Sequence, residues 1–198
     1  KEQSIKLIHI STDYVFDGEA KYPYKEESET NPQCVYGKTK LEGELALLKS
    51  GCKYLILRIG WIYSEYGNNF MKTMLSLAKK NKALSVVNDQ VGSPTYAQDI
   101  AQTIIKILPL VKDIKEYRCI YHYSGDFTCS WYSFAELIFS KAKTYGFTTP
   151  EIVLPINTSE YPTLAKRPKY SVLDSSRLIN KFNVELSNLE KGINKVLD

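Results

Sequence analysis

No apolar run in this sequence approaches the roughly 20 residues that a bilayer-spanning helix needs. The longest runs, such as Tyr54 to Leu57 and Ile104 to Ile107 with its Lys106, fall far short, so no membrane partner is expected. Like charges do not gather either. Lys and Arg total 26 against 22 Asp and Glu, a net charge of +4, and no block of like charge runs longer than Lys79-Lys80. Nucleic-acid-binding proteins concentrate basic residues on one stripe, so no nucleic acid is expected, although a weak positive bias is compatible with an anionic small molecule. Cys34, Cys52, Cys119 and Cys129 never fall in a C-x-x-C pair. That spacing excludes a metal knuckle, and without a signal peptide the four read as reduced thiols of a cytoplasmic protein. Also missing is a G-x-x-G-x-x-G string or any Gly-rich strand-to-helix turn that would cradle a pyrophosphate at a helix amino terminus.

What is present is enough apolar material for a true core, 43% of 198 residues, in a chain long enough for one domain or one and a half. Ile5, Leu7, Ile8 and Ile10, within a stretch that reads as extended from Lys1, predict a buried strand ending at Ser11-Thr12-Asp13. A turn-rich loop leads to a helix over Val35 to Lys49, closed by Gly51. Strand and helix then alternate: strands at Tyr54 to Ile59, Leu84 to Val87, Cys119 to Tyr123 and Ile152 to Ile156, and helices at Asn69 to Lys80 capped by Asn68, Tyr96 to Leu108, and Trp131 to Tyr145 after Ser130. A short helix near Ser175 to Asn180 and a last one opened by the capping box Ser187-x-x-Glu190 complete the chain. Such alternation predicts an α/β fold with a parallel sheet. After about Asn81 the elements shorten, as in a smaller accessory region interleaved with the sheet.

The most informative residues are Tyr36 and Lys40, at the start of the first helix and just beyond Ser11-Thr12-Asp13. At about 100° per residue they stack one turn apart on one face, with Gly43 allowing close packing there, while Leu41, Leu45 and Leu48 form the core stripe. This pair suits carbonyl reduction. A phenol is a poor acid at neutral pH, and a nearby ammonium stabilises the phenolate left when it gives up its proton. Tyr36 is thus placed to protonate an alkoxide as hydride arrives on its carbon. Lys40 is placed to hold the ribose of a nicotinamide cofactor, and Thr12 to position the substrate oxygen. A Tyr-x-x-x-Lys pair by itself is no more than chance delivers in a chain with 15 Tyr. The strand ending in Ser-Thr-Asp supplies the context.

The strings His9-Ile10-Ser11-Thr12-Asp13-Tyr14-Val15-Phe16-Asp17-Gly18 and Val35-Tyr36-Gly37-Lys38-Thr39-Lys40-Leu41-Glu42-Gly43-Glu44 resemble the extended short-chain dehydrogenase/reductase family. Within it they are similar to the branch that reduces dTDP-4-keto sugars. The likeness continues through Arg58 to Tyr63, Gly67 to Phe70, Leu84 to Gln90, Gly92 to Thr95 and Arg167-Pro168, so it covers nearly the whole chain.

The resemblance implies the carboxyl-terminal part of a Rossmann-type doubly wound parallel sheet with a smaller α/β substrate-binding region. Residues 1–80 would be the remaining part of the catalytic domain and residues 81–198 mainly the substrate-binding region. It implies catalytic Thr12, Tyr36 and Lys40; cofactor contacts from Ile10, Tyr36 and Lys40; and substrate contacts from Thr12, Asp13 and Trp61. The reaction implied is reduction of the C4 keto group of dTDP-4-dehydro-6-deoxy-L-mannose to dTDP-L-rhamnose by NADPH or NADH, with a dTDP-sugar as partner and a homodimer as a possible assembly. A flat apolar side chain such as Trp61 just past a strand's carboxyl end also lies where open α/β sheets bind ligands.

Among the remaining polar residues, Asn68 and Asn69 are candidates for sugar contact or capping, and Lys166 and Arg167 for meeting a diphosphate. His9 and His122 are expected to be packed, and Glu26, Glu27 and Glu29 to form a solvated loop face. Some relatives carry an acidic metal-associated residue where this chain has Gln98, so no metal is expected. The absent phosphate loop implies that the chain starts mid-sheet, roughly a hundred residues into such a reductase, and that this piece alone is inactive. Two other readings stay open: another nucleotide-sugar reductase or epimerase of the family, or a non-catalytic regulatory subunit, against which the complete Thr-Tyr-Lys set argues.

Overall fold

The computed structural model describes residues 6–111 and 118–198. Three strands, β1 (Lys6–Thr12), β2 (Lys53–Ile59) and β7 (Arg118–Tyr123), form a parallel sheet in the order β1-β2-β7, with Ile10 opposite Leu57 and Arg58 opposite His122. Parallel neighbours need crossovers. The first is α1 (Val35–Ser50), ended by Gly51 in the left-handed conformation at φ 70° that a side chain would strain.

β2 is buried on both faces, as its apolar run Tyr54–Leu57 requires. Leu55, Leu57 and Ile59 face one side, where they pack with Ile100 and Ile107 of α3 (Ala97–Val111) and Leu178 and Phe182 of α5 (Ser176–Phe182). Arg58 faces the other side, beneath α1. Helices therefore cover both faces, the doubly wound arrangement. Lys1 to Ile5 of the expected first strand lie outside the described residues, and the rest is less buried than expected. β1 is an edge strand among the described residues, and Leu7 and Ile10 are exposed.

Shorter strands carry the second region. β3 (Ile62–Tyr63) pairs with β6 (Thr95–Tyr96), and β4 (Ala83–Val87) with β9 (Ile152–Ile156), both in parallel; β5 (Val91–Gly92) and β8 (Cys129–Ser130) are antiparallel. Around them α2 (Phe70–Ala78), α4 (Trp131–Thr144) and α6 (Leu189–Leu197) bury a second core through Met71, Phe134, Ile138 and Ile193. No described helix is long and apolar enough to cross a membrane, and no disulfide forms among the described residues.

Two expected caps shift by one residue. Asn69, not Asn68, caps α2 by accepting the Lys72 amide at 3.1 Å. Asn188, not Ser187, caps α6, because the Ser187 hydroxyl instead receives the Tyr96 amide and donates to Asp99. Ser130 caps α4 as expected.

Candidate active site

The carboxyl end of β1 turns straight into a short 3-10 turn (Asp13–Val15), capped by Thr12 Oγ1, which accepts the Tyr14 amide at 3.2 Å. The same hydroxyl donates to Asp13 Oδ1 at 3.0 Å. Asp13 is fully enclosed because Gly60, past the end of β2, has no side chain; a Cβ there would sit 2.6 Å from Asp13 Oδ2. Burial pushes the Asp13 carboxyl up to about 6, and the Ser171 and Thr12 hydroxyls beside it only partly offset this. Its Oδ2 finds no partner among the described residues.

The first turn of α1 lies directly over this strand end. Gly37 makes that possible: a Cβ there would be 2.2 Å from the Tyr14 carbonyl oxygen. The close-approach glycine is therefore Gly37, whereas a Cβ on Gly43 would make only ordinary contact with His9. Lys40 reaches down from α1 and donates to the Ile10 carbonyl at 2.6 Å. Tyr36 is exposed, its ring edge-on to Tyr14 with 5.6 Å between centroids. Ile10, Thr12, Asp13, Tyr36 and Lys40 are thus gathered at one strand end.

The expected apolar stripe of α1 is a correction. Leu41 packs, half-buried, against the core around Val15 and Phe16 as expected, but Leu45 and Leu48 are exposed, and the residues α1 buries fully are Gly37 and Glu44. Glu44 turns inward because Arg58 of β2 meets it as an ion pair at 2.7 Å. Glu26 is a second correction to its expected solvated role: half-buried, it accepts the His122 amide at 3.2 Å, and burial raises its carboxyl. Glu27 pairs with Arg177. His122 itself is packed as expected, its Nδ1 3.0 Å from the Tyr24 carbonyl, and burial with the nearby Arg58 holds it down to about 3. His9 is also held low, by burial and Lys40.

Trp61 follows Gly60 with φ 51°, a left-handed conformation costly for an aromatic residue. Its carbonyl accepts the Thr95 amide, its indole N–H donates to Ser171 Oγ at 3.1 Å, and its ring lies on Trp131. Ser171 therefore links the indole to the Asp13 side. A lone serine in an irregular stretch carries no sequence signal that could have pointed to it.

Beside this stack opens a cavity of about 430 Å³, lined by Phe70, Trp131, Val86, Gln90, Tyr161 and Arg167 among others. Arg167 also acts on Tyr14, partly offsetting the burial and the Asp13 charge that push that phenol up to about 12. It thus lies between cavity and strand end, whereas Lys166 turns to Gln33 and Asn69 donates to the Ser64 carbonyl. Gln98 accepts from the Tyr96 hydroxyl.

A doubly wound parallel sheet whose Ser-Thr-Asp strand end meets a Tyr-x-x-x-Lys helix agrees with the resemblance to the extended short-chain dehydrogenase/reductase family. The whole chain, residues 1–198, matches the family described as RmlD substrate binding domain, and it belongs to that family. It is 45% identical over 193 residues to the dTDP-4-dehydrorhamnose reductase of Aggregatibacter actinomycetemcomitans, a match spanning 96% of this chain and 65% of that protein. The solved dTDP-4-dehydrorhamnose reductase of Bacillus anthracis in complex with NADP superposes with a TM-score of 0.85 at 39% identity, over 96% of this chain and 64% of that one. A Clostridium acetobutylicum dTDP-4-dehydrorhamnose reductase superposes with a TM-score of 0.80 at 42% identity, over 95% and 63%. The chain spans somewhat under two thirds of the length of these relatives.

Proposed function

We propose that the protein carrying this chain reduces the C4 keto group of dTDP-4-dehydro-6-deoxy-L-mannose to dTDP-L-rhamnose with NADPH or NADH. The observation that carries this reading is the Lys40 bond to the Ile10 carbonyl, which brings the Tyr-x-x-x-Lys helix onto the carboxyl end of β1. The family match and the names of the relatives supply the substrate class, and the relative solved with NADP favours NADPH.

The residues fit a nicotinamide nucleotide. An ammonium has three donors; the Ile10 bond uses one, so Lys40 has N–H groups to offer ribose hydroxyls. When bound, a reduced nicotinamide supplies the hydride. Tyr36, exposed at the strand end, gives its phenolic proton to the substrate's carbonyl oxygen, so that C=O becomes CH–OH. Lys40 stabilises the resulting phenolate. The Thr12 hydroxyl, held at rest by the enclosed Asp13 carboxyl, turns to the same substrate oxygen, so that Asp13 acts on the substrate through Thr12.

The Trp61–Trp131 pair walls the sugar, and Arg167 is placed to meet a diphosphate beside the cavity. We assign residues 1–80 to the catalytic part and residues 81–198 mainly to the substrate region; β7, from the second stretch, pairs with β2 of the first. The test is turnover of the dTDP-4-keto sugar with NADPH, followed by loss of nicotinamide absorbance. Tyr36→Phe is expected to lower kcat by about 10²- to 10⁴-fold with unchanged folding. Equal turnover by the variant overturns the mechanism, and preference for a UDP-sugar overturns the substrate.

A further inference from the structure

Helix α1 has little apolar grip on the sheet it covers, since Leu45 and Leu48 are both 43% exposed and only Leu41 packs, half-buried, near Val15 and Phe16. Its buried contacts are Gly37, against the Tyr14 backbone, and Glu44. Seven residues apart, the two lie within about 20° of each other around the helix, and Lys40 lies between them on nearly the same face. The height and angle of Lys40 above β1 therefore depend on these two clamps.

The Glu44 clamp is built from directional bonds. Its carboxylate is 1% exposed and takes Arg58 Nε on Oε1 at 3.0 Å and Arg58 Nη2 on Oε2 at 2.7 Å, a two-pronged fork. Arg58 is held in turn, its guanidinium over the Phe16 ring at 5.1 Å and its Nη1 on the Glu26 carbonyl. Ser11 also donates to Glu44 Oε1. Ser11 stands between Ile10, whose carbonyl receives Lys40, and Thr12. One buried carboxylate thus ties α1 to the central strand and to the residue between two groups of the site.

Stability alone does not call for this arrangement, because an apolar pair of similar volume commonly serves as well as a buried ion pair. A fork does fix direction, which sliding leucine contacts do not. Resting on the reductase reading above, we propose that Ser11, Glu44 and Arg58 form a positioning network that sets the register of α1 over β1, holding Lys40 on Ile10 and Tyr36 at the strand end.

The test compares the protein carrying this chain with the double variant Glu44→Met/Arg58→Met and with Ser11→Ala, measuring Tm, kcat, KM for the dTDP-4-keto sugar and amide hydrogen exchange. The double variant is expected to keep its Tm within a few degrees and its KM within about twofold, while kcat falls about 10- to 100-fold, the penalty of an ångström-scale misplacement. Residues 37–44 are expected to exchange faster while β2 does not. Ser11→Ala, which keeps both charges, is expected to lose kcat in the same sense by several-fold, and it decides the matter if the double variant does not fold. Wild-type kcat and α1 exchange in the folded double variant, or in Ser11→Ala where that decides, overturn the inference. If the wild-type protein does not reduce the dTDP-4-keto sugar, the reductase reading fails by itself, and faster α1 exchange still supports the register role.

Discussion

The indoles of Trp61 and Trp131 lie face to face, 3.4 Å between ring centroids and 1° from parallel. The pair joins the two halves of the site. Trp61 hydrogen-bonds Ser171 on the Asp13 side, and Trp131 lines the neighbouring cavity together with Ile62 and Phe70. Gly92 makes room for it: a Cβ there would come within 2.3 Å of the Trp61 indole.

Gly92→Ala is therefore expected to push Trp61 off Trp131 and off Ser171, at a cost of about 1–3 kcal/mol for overpacking. These are the 2 tryptophans of the chain, so the difference in fluorescence between variant and parent reads the displacement. A changed emission spectrum with a raised KM for the dTDP-sugar is the expected outcome. An unchanged spectrum would show that the stack does not depend on Gly92.

Lys40→Met removes the ammonium that ties α1 to Ile10. Such a bond contributes about 1 kcal/mol to stability, so folding should hardly change. Turnover is expected to fall by about 10²-fold or more, since the variant loses both the ribose contact and the stabilised phenolate. A weaker NADPH affinity in a fluorescence titration should accompany the loss; wild-type affinity and turnover together would remove Lys40 from the site.

Asp13 ties stability to pH. Its folded value of about 6 lies above the ordinary 3.8, so the folded protein binds this proton more tightly than the unfolded chain. Stability then falls as pH rises through that interval, and the full penalty stands above it. Asp13→Asn is expected to be more stable than the parent at pH 8, by at most about 3 kcal/mol, with the advantage vanishing near pH 4. Urea melts at the two pH values decide it: an equal advantage at both would show that the carboxylate's burial is not the cause. The same change is expected to reduce turnover, because the amide is a weaker acceptor for the Thr12 hydroxyl that Asp13 holds.

The chain order of the elements and the gathering of Thr12, Tyr36 and Lys40 were legible because each has a local signature. Gly51 must take a left-handed conformation, β2 carries the apolar run Tyr54–Leu57, and a strand ending in Ser-Thr-Asp leads toward a Tyr-x-x-x-Lys helix. Where two equivalent residues stood side by side, local rules could not choose between them. Asn68 and Asn69 cap equally well in isolation, and Ser187 lost that role because distant Asp99 and Tyr96 claimed its hydroxyl.

By itself, the sequence determined the α/β alternation, the boundaries set by Gly and capping residues, and the chemical groups carried to the end of the first strand, because propensity and periodicity act over a few residues. The tertiary structure alone decided which side of α1 faces inward. Leucines at helical spacing argue for one face, but burying Glu44 becomes favourable only when Arg58, 14 residues away in sequence, arrives from β2 with a guanidinium fork. Likewise, the Trp61 bond to Ser171 joins residues 110 apart in sequence, and Asp13 is enclosed by Gly60 from the end of another strand, partners that no local pattern encodes.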